Sequence, residues 1–388
     1  NGNHDMAMAT FNGSKYVCAA WAHSNSEVGL SIGEIDGDTI TWTAHTQNLD
    51  TTNEQMFMVS CGTNKVALIG NFNASSFNNR VGCYIIQHDG DGTLTVGSRV
   101  LVGGYASSSS SNVNHPYGCY DSVNDKLLVG QTVNGTTGNA QAGLRIGTIS
   151  GTSVSFGDHQ IATSSGVRYG SMNTQAILHK GLGKIVISYG VSGTRKIKVG
   201  TYNTAKTAIT WGSELSHGGS DVRNECSLGY DENTKTVVWF GRRHSTGKTA
   251  FQTYQFNSDA TSVTIGSFSE SPRSDSHNYQ GGNNVHWNPV RKLLVGSHHS
   301  SYSRWDLFTM HTGTSTTTAD NFAGIVSGTV SSGSQATIAV SGNTNSDQTG
   351  LTVGSKHYIT RTGGISSTAD DPSVVAGIAL SSTKLLIK

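Results

Sequence analysis

The stretch Asn124-Asp125-Lys126-Leu127-Leu128 places a polar turn directly before an apolar run, and this pattern decides the fold because it recurs. Similar stretches follow one another at intervals of roughly 50 to 60 residues, a period typical of propeller blades. Their anchoring residues are Lys15, Lys65, Lys126, Lys184, Thr236 and Lys292. The sequence therefore predicts six copies of one structural unit.

Each copy contains four strand-like runs. In the second copy these runs are Met56–Ser60, Val66–Asn71, Arg80–Gln87 and Thr93–Val100. A Gly-rich turn at 89–92 joins the last two, as expected of a hairpin. No helical periodicity longer than two turns is present. We therefore predict an all-β fold, a six-bladed β-propeller of four-stranded antiparallel blades.

The composition changes after the sixth copy, where aromatic residues nearly vanish. We predict a propeller over residues 1–320 and a small β module over residues 321–388. The final run, Thr383–Lys388, contains three aliphatic residues and would be an aggregation hazard as an unpaired strand. We therefore expect it to dock on the propeller or on other copies of the module around a symmetry axis.

The two ends of the predicted propeller differ in loop length. The first-to-second and third-to-fourth turns of each blade are tight, whereas the connections at the opposite end are long. These long loops cover residues 71–79, 102–115, 131–141, 162–173, 216–224 and 270–283. Because binding residues are commonly carried on loops over a rigid scaffold, we expect the function at this long-loop end.

Charge and cysteine content exclude several classes of function. The chain has 26 basic and 25 acidic residues, a formal charge of +1, so nothing predicts nucleic-acid binding. No apolar run approaches the roughly 20 residues that cross a bilayer, so we predict no membrane insertion. The five cysteines are odd in number without C-x-x-C spacing, which favours reduced core residues over a zinc site or disulfide framework.

The long loops carry Tyr and Arg side chains among Asn, Ser and Gly. Aromatic rings beside short hydrogen-bonding side chains suit a sugar, with its apolar ring faces and hydroxyls, and also suit a protein-binding surface. We predict that a few of them bind the ligand as stacking platforms and hydrogen-bond donors. These residues are Tyr105, Tyr169, Arg273, Tyr279 and Tyr302.

Signatures of enzymes, metals and cofactors are weak. No nucleophile elbow, P-loop or dinucleotide fingerprint is present, so we predict no catalytic residue and no cofactor. The run 33–42 is similar to the Asp-box of propeller sialidases, but its Asp and Gly are adjacent, so the match fails. A sialidase-like glycosidase with Asp221 or Glu270 as acid/base remains a second alternative.

One further cluster, His286 with the adjacent pair His298-His299, was considered as a metal site. Side chains of neighbouring strand residues point to opposite faces, so only one of the pair can join His286. No carboxylate or cysteine nearby completes the shell, and we predict no metal.

The terminal sequence resembles the terminal module of bacteriophage tail-fibre and other virion surface proteins. The residues that carry the resemblance are Gln348–Ile359, Gly363–Ser366 and Ala376–Ile387. The preceding blades resemble the propeller-like repeats of marine phage proteins, on the basis of Tyr120-Asp121, Tyr230-Asp231 and Ile146–Gly157.

This resemblance implies a non-enzymatic fibre at the virion surface or outside the cell. Its partners would be a host surface glycan or receptor and other virion proteins, and it would be a homo-oligomer, with a trimer favoured. A secreted filament or adhesin subunit remains the first alternative.

Overall fold

The computed structural model divides the chain into two compact units. The propeller unit comprises Asn1–Pro289 and Leu294–Met310, and the terminal unit comprises Val290–Leu293 and His311–Lys388. None of the described segments forms a helix that could span a membrane. The structure describes residues 6–11, 15–22, 27–36, 39–72, 80–90, 93–103, 117–134, 140–167, 174–191, 194–216, 222–243, 245–246, 248–270, 284–288, 293–301, 304–310, 322, 324–328, 335–359, 364–369 and 374–388.

The first two blades share one long strand. The first blade contains β1 (Met6–Phe11), β2 (Tyr16–Ala22), β3 (Glu27–Asp36) and the first half of β4 (Thr39–Ser60). Strand β4 pairs with β3 up to Thr51 and with the next strand from Thr52 onward. It therefore ends the first blade and begins the second. The second blade continues with β5 (Lys65–Phe72), β6 (Arg80–His88), β7 (Leu94–Val96) and β8 (Val100–Gly103).

The third and fourth blades repeat this antiparallel order and are joined into one sheet by a single pair, Val167 with Val191. The third blade contains β9 (Tyr117–Asp121), β10 (Lys126–Asn134), β11 (Ala140–Ser150), β12 (Ser153–Phe156) and β13 (Gln160–Val167). The fourth contains β14 (Gln175–His179), β15 (Lys184–Val191), β16 (Thr194–Tyr202), β17 (Ile209–Trp211) and β18 (Leu215–Ser216).

The last two blades follow the same plan. The fifth contains β19 (Val222–Asp231), β20 (Thr236–Arg243), β21 (Thr249–Phe256), β22 (Val263–Ile265) and β23 (Ser269–Glu270). The described strands of the sixth are β24 (Asn284–Asn288), β25 (Leu293–Ser301) and β26 (Arg304–Met310). The predicted anchors lie at the starts of second strands, since β5, β10, β15 and β20 begin at Lys65, Lys126, Lys184 and Thr236.

The first strands of successive blades lie side by side: β4 contacts β9, β9 contacts β14, β14 contacts β19, and β19 contacts β24. Strands β9 and β19 belong to non-adjacent blades, yet the Tyr117 and Ser227 hydroxyls are hydrogen-bonded at 3.0 Å. First strands that meet in this way converge on a common axis, the arrangement of a propeller. The predicted six-bladed all-β propeller is thereby confirmed.

Apolar side chains fill the space between neighbouring blades. Between the second and third blades, the buried residues include Ile69 and Cys83 on one side and Leu127 and Val129 on the other. Between the fourth and fifth, Trp239 is fully buried in a similar cluster. Because each sheet is covered on both faces, its strands are buried along nearly continuous runs rather than at alternate positions.

Buried aspartates shape two equivalent tight turns. The carboxylate of Asp121 accepts hydrogen bonds from the backbone amides of Val123 and Asn124. Asp231 makes the same pair of bonds two blade repeats later. Aspartate suits this position because its side chain hydrogen-bonds the backbone two and three residues on. The Tyr-Asp pairs noted in the sequence therefore fix the first turn of their blades.

The terminal unit is built from short strands. A two-stranded ribbon pairs β27 (Ile325–Val326) with β28 (Ile338–Ala339). A five-stranded sheet has the order β29-β33-β32-β30-β31. Its strands are β29 (Thr344–Asn345), β30 (Lys356–Ile359), β31 (Ile365–Ser366), β32 (Val375–Ala379) and β33 (Leu385–Ile387).

The final strand corrects one sequence prediction. We expected the last aliphatic run to dock outside its own module, but β33 pairs with β29 on one side and with β32 on the other. Leu385 and Ile387 are buried in the core of the terminal unit. The prediction was wrong because local pattern does not show which strand becomes internal to a sheet.

Candidate binding sites between the blades

The five predicted ligand-binding residues, Tyr105, Tyr169, Arg273, Tyr279 and Tyr302, lie outside the described residues. Asp221, one of the two predicted acid/base candidates, lies outside them as well. The side chains of His286, His298 and His299 are also outside what the structure describes. The site is therefore built from the strands that flank the long loops.

A glycine interrupts the fourth strand of each blade from the second to the fifth. These glycines are Gly97, Gly157, Gly212 and Gly266, and their amides donate hydrogen bonds at 2.9–3.0 Å to third-strand carbonyls of Ile85, Ile146, Val199 and Thr253. The predicted single strand Thr93–Val100 is thus two strands, β7 and β8, with a break between them. We call these four residues the break glycines.

The break defines two side-chain positions in each blade, and in blades 2, 3 and 4 at least one of the two side chains contacts the preceding blade. One is the residue two positions after the break glycine, and the other is the residue just before the acceptor carbonyl. We call each pair, with its neighbours, the interblade site of that blade. In blades 2 to 5 the pairs are Arg99 with Tyr84, His159 with Arg145, Glu214 with Lys198, and Phe268 with Gln252.

A sequence signal for these sites exists, although we did not use it. An apolar residue, Thr or Ser, a second apolar residue, Gly, and then Ser or Asp recur in that order. Five such runs occur. Four contain the break glycines, namely Leu94–Ser98, Val154–Asp158, Ile209–Ser213 and Val263–Ser267, and the fifth is Leu351–Ser355 in the terminal unit. A search for this shorter motif would have identified the break glycines.

In the interblade site of blade 2, Asp50 of the first blade accepts two hydrogen bonds. The Arg99 guanidinium donates one at 2.6 Å and the Tyr84 hydroxyl donates the other at 2.6 Å. Burial, together with the bond to Asp50, raises the pKa of Tyr84, so its hydroxyl keeps its proton. The cation and the anion of this site are paired with each other.

The interblade site of blade 4 is also paired. Glu214 accepts hydrogen bonds from the Lys196 ammonium at 3.1 Å and from the Tyr189 hydroxyl at 3.0 Å. Partial burial acts to raise the pKa of Glu214, but the bonds from Lys196 and Tyr189 outweigh it and hold the pKa below its usual value. Lys198 donates to the carbonyl of Ala162 in the preceding blade at 2.6 Å.

Blade 5 places a carboxylate beside aromatic rings. Glu270 accepts hydrogen bonds from Arg243 at 2.5 Å and from Thr246 at 3.1 Å. The Arg243 guanidinium lies over the ring of Phe268, 4.8 Å from its centroid, and Phe268 meets Trp239 edge-on. The bond from Arg243 holds the pKa of Glu270 below its usual value. A ring, a cation and an anion are fixed together here.

The interblade site of blade 3 differs because no carboxylate of the described residues pairs with its cation. Arg145 donates from Nη1 to the Gly157 carbonyl at 2.8 Å, and its buried Nε has no hydrogen-bond partner among the described residues. The guanidinium lies directly against Gly103, where a Cβ would be 2.3 Å from Nε. Burial lowers the pKa of Arg145, although Asp158 opposes this shift.

Two further polar groups of this site have no partner within the described part of the chain. Both ring nitrogens of His159 and both amide atoms of Gln131 are buried without a hydrogen bond of good geometry. Burial and then the Arg145 charge lower the pKa of His159 to about 4, against weak opposition from the carbonyls of Gln131 and Gly143. His159 is therefore neutral near pH 7.

The carboxylates of Glu214 and Glu270 are held in their ionised form. A general acid needs a carboxyl whose pKa is raised, whereas the pKa values of Glu214 and Glu270 are lowered. Among the described residues, no group of three His, Cys, Asp or Glu side chains could hold a metal.

Cys18, Cys61 and Cys83 are free and buried, and burial raises the pKa of Cys18 to about 12, so they fit the predicted reduced core residues.

No family model matches the sequence, and no curated protein matches it. The fold is similar to the α-L-arabinanase of Penicillium chrysogenum in complex with arabinobiose, with 11% identity over 79% of this chain and 92% of that chain and a TM-score of 0.50. The Aleuria aurantia lectin is described as a six-bladed β-propeller with a novel fucose recognition mode. It has 11% identity over 81% of this chain and 97% of that chain, with a TM-score of 0.47. AofleA from Arthrobotrys oligospora has 8% identity over 79% of this chain and 86% of that chain, with a TM-score of 0.47. At such identities the likeness to the arabinanase concerns the fold alone.

Proposed function

We propose that this protein binds glycans through the long-loop end of its propeller without chemically altering them. The observation that carries the proposal is the paired donor and acceptor repeated between blades. Glu214 with Lys196 and Glu270 with Arg243 each fix an anion and a cation side by side. A sugar hydroxyl both donates and accepts, so such a pair can bond both functions of one hydroxyl.

Two properties of these pairs favour sugar binding over general solvation. Their side chains are only partly exposed: 20% for Glu270 and 29% for Arg243. Because the rotamers are already fixed by hydrogen bonds, a ligand pays less of their ordering entropy on binding. The pairs also recur from blade to blade, so a polymeric ligand can engage several weak sites at once and gain avidity.

The setting that we propose follows from the resemblance of the terminal module. A fibre at the virion surface would present the long-loop end to a host glycan and hold other virion proteins elsewhere, as a trimer. Trimers multiply weak surface contacts by avidity in the same way as repeated blades do. A secreted filament or adhesin subunit would use the same binding sites.

The lowered pKa values of Glu214 and Glu270 support a non-enzymatic role. A glycosidase needs one carboxyl that still carries its proton at the working pH. Both carboxylates instead accept hydrogen bonds from cations, which stabilise their ionised form.

A glycan array would test binding, with the wild type compared with the double variant Glu214→Gln, Glu270→Gln. Loss of a charge-assisted hydrogen bond in each site should weaken binding by about tenfold. The matched control is Glu232→Gln, because Glu232 pairs with Lys180 at the tight-turn end. The control should bind like the wild type.

Other outcomes would redirect the proposal. A silent array together with intact cell binding would replace the glycan by a protein receptor. Equal losses in the double variant and in the control would show that the long-loop end is not the binding face. Release of free sugar or new reducing ends from a bound polysaccharide would contradict the non-enzymatic role and favour a glycosidase.

A further inference from the structure

We propose that the interblade site of blade 3 binds a carboxylate, the acidic group of a charged sugar. This inference rests on the proposed glycan binding and names one ligand chemistry for one site. Arg145, His159 and Gln131 form the site, with Gly103 of the second blade against the guanidinium.

The groups of this site share one face of the third blade. Gln131 lies opposite Gly143 in the pairing of β10 with β11, and Arg145 follows two residues after Gly143 on the same face. A Cβ on Gly143 would be 2.7 Å from Nε2 of His159, so the imidazole lies over that glycine. The three polar side chains are therefore neighbours, and glycines leave room for them.

Several hydrogen-bonding atoms of these side chains have no partner among the described residues and are available to a ligand. Gln131 is fully buried, yet neither of its amide atoms has a partner among the described residues. A buried polar group without a partner is destabilising, so native proteins rarely keep several together. Nε of Arg145 and the ring nitrogens of His159 add to the set.

The charge of the site selects an anion. Asp50 pairs with Arg99 in blade 2 and Glu214 pairs with Lys196 in blade 4, but in blade 3 no described carboxylate lies within ion-pair distance of Arg145. Asp158 acts on Arg145 only at longer range and is exposed. Glu214 supplies the carboxylate of the blade 4 site, whereas the equivalent residue of blade 3 is the neutral His159.

The geometry favours a carboxylate over a neutral hydroxyl. A guanidinium presents several N–H donors in one plane, which match the two oxygens of a carboxylate. The amide of Gln131 and the neutral imidazole can add a donor each and can also bond a neighbouring hydroxyl. A sugar acid such as glucuronate carries both groups on one ring.

Ligand-observed NMR titrations at pH 7 with sodium glucuronate, glucose and sodium acetate would test this proposal. The wild type should bind glucuronate saturably and at least tenfold more tightly than glucose or acetate. Arg145→Gln should lose that preference. His159→Glu should lose it too, since it places a carboxylate beside Arg145 as in blade 4.

The matched control is Lys126→Gln, which removes one positive charge from the tight-turn end of the same blade, where Lys126 donates to the Thr148 hydroxyl at 2.9 Å. It should keep glucuronate affinity within twofold, and circular dichroism should show all variants folded. Glucose binding as tightly as glucuronate, or equal affinity in Arg145→Gln and the wild type, would overturn the proposal. Glycan-array binding of neutral sugars by a wild type that ignores glucuronate would overturn this site while keeping the proposed function.

Discussion

The interblade sites of blades 3 and 4 share one backbone frame and differ in chemistry. In both, a break glycine donates to a third-strand carbonyl, at 3.0 Å from Gly157 and 2.9 Å from Gly212. Two residues later the frame carries His159 in one blade and Glu214 in the other. Glu214 is held by Lys196 and Tyr189, whereas His159 lies beside Arg145, which has no ion pair among the described residues. The repeat therefore fixes the position of a side chain, while the identity of one residue decides what the site at that position can bind.

The largest effect should come from the frame itself, and the break glycines supply a matched pair. A Cβ on Gly97 would be 1.7 Å from the backbone carbonyl oxygen of Thr152 in the third blade. A Cβ on Gly157 would find its nearest atom at 3.9 Å. We expect Gly97→Ala to lower the free energy of unfolding by about 3–5 kcal/mol and Gly157→Ala to change it by less than about 0.5 kcal/mol. Denaturant titrations measure both.

Similar unfolding midpoints for the two alanine variants would contradict this expectation. They would show that the second and third blades separate without cost, and that the shared frame does not depend on close packing at Gly97.

The second effect concerns acid sensitivity of blade 3. The pKa of His159 is about 4 in the folded protein, against 6.5 for an ordinary histidine. Between these two pH values His159 binds a proton in the unfolded chain but not in the folded protein. The free energy of unfolding therefore falls as the pH is lowered from 6.5 to 4. A shift of this size corresponds to about 3 kcal/mol. We expect His159→Gln to lose less stability than the wild type over that range.

Unfolding free energies of both proteins at pH 7, 5.5 and 4 would measure the difference. Parallel curves would show that the imidazole accepts its proton in the folded state, despite its burial and the Arg145 charge. His159 would then not be a neutral residue of blade 3 over this pH range.

The third effect belongs to blade 4 and has a lower pH window. Because the folded pKa of Glu214 is depressed, its contribution to stability is present above the ordinary value of 4.5 and is lost as the pH falls through the folded pKa. The side chain is 36% exposed, so solvent screening reduces the contribution to about 1 kcal/mol or less. Glu214→Gln should remove it at pH 7, as measured by urea unfolding. An equal stability loss at pH 3 would argue against the charge as its cause.

The smallest effect is expected at the tight-turn end. Lys15 and Glu34 form an ion pair at 3.1 Å with side chains that are 54% and 44% exposed. Such exposed pairs contribute little because water screens them and both side chains lose entropy. We expect Glu34→Gln to leave the urea unfolding midpoint unchanged within measurement error. A larger loss in the same urea assay would show that ion pairs matter at both ends of the propeller.

The repeat, the all-β class of the fold and the position of the second strand in each blade follow from the sequence alone. These features are local: a turn followed by an apolar run predicts a strand wherever it occurs, and Lys65, Lys126 and Lys184 begin β5, β10 and β15 as the pattern requires.

Only the tertiary structure decided the interblade sites. Asp50 and Arg99 are 49 residues apart, and Tyr117 and Ser227 are 110 apart, so no local pattern relates them. The break in the fourth strand was missed because Gly97 is a single glycine inside the run Thr93–Val100. The bond from Gly97 to Ile85 that marks the break forms only once the third strand is beside it. Whether a cation is paired or open is likewise set by the neighbouring blade, since burial and the distance to an opposite charge are properties of the packed fold.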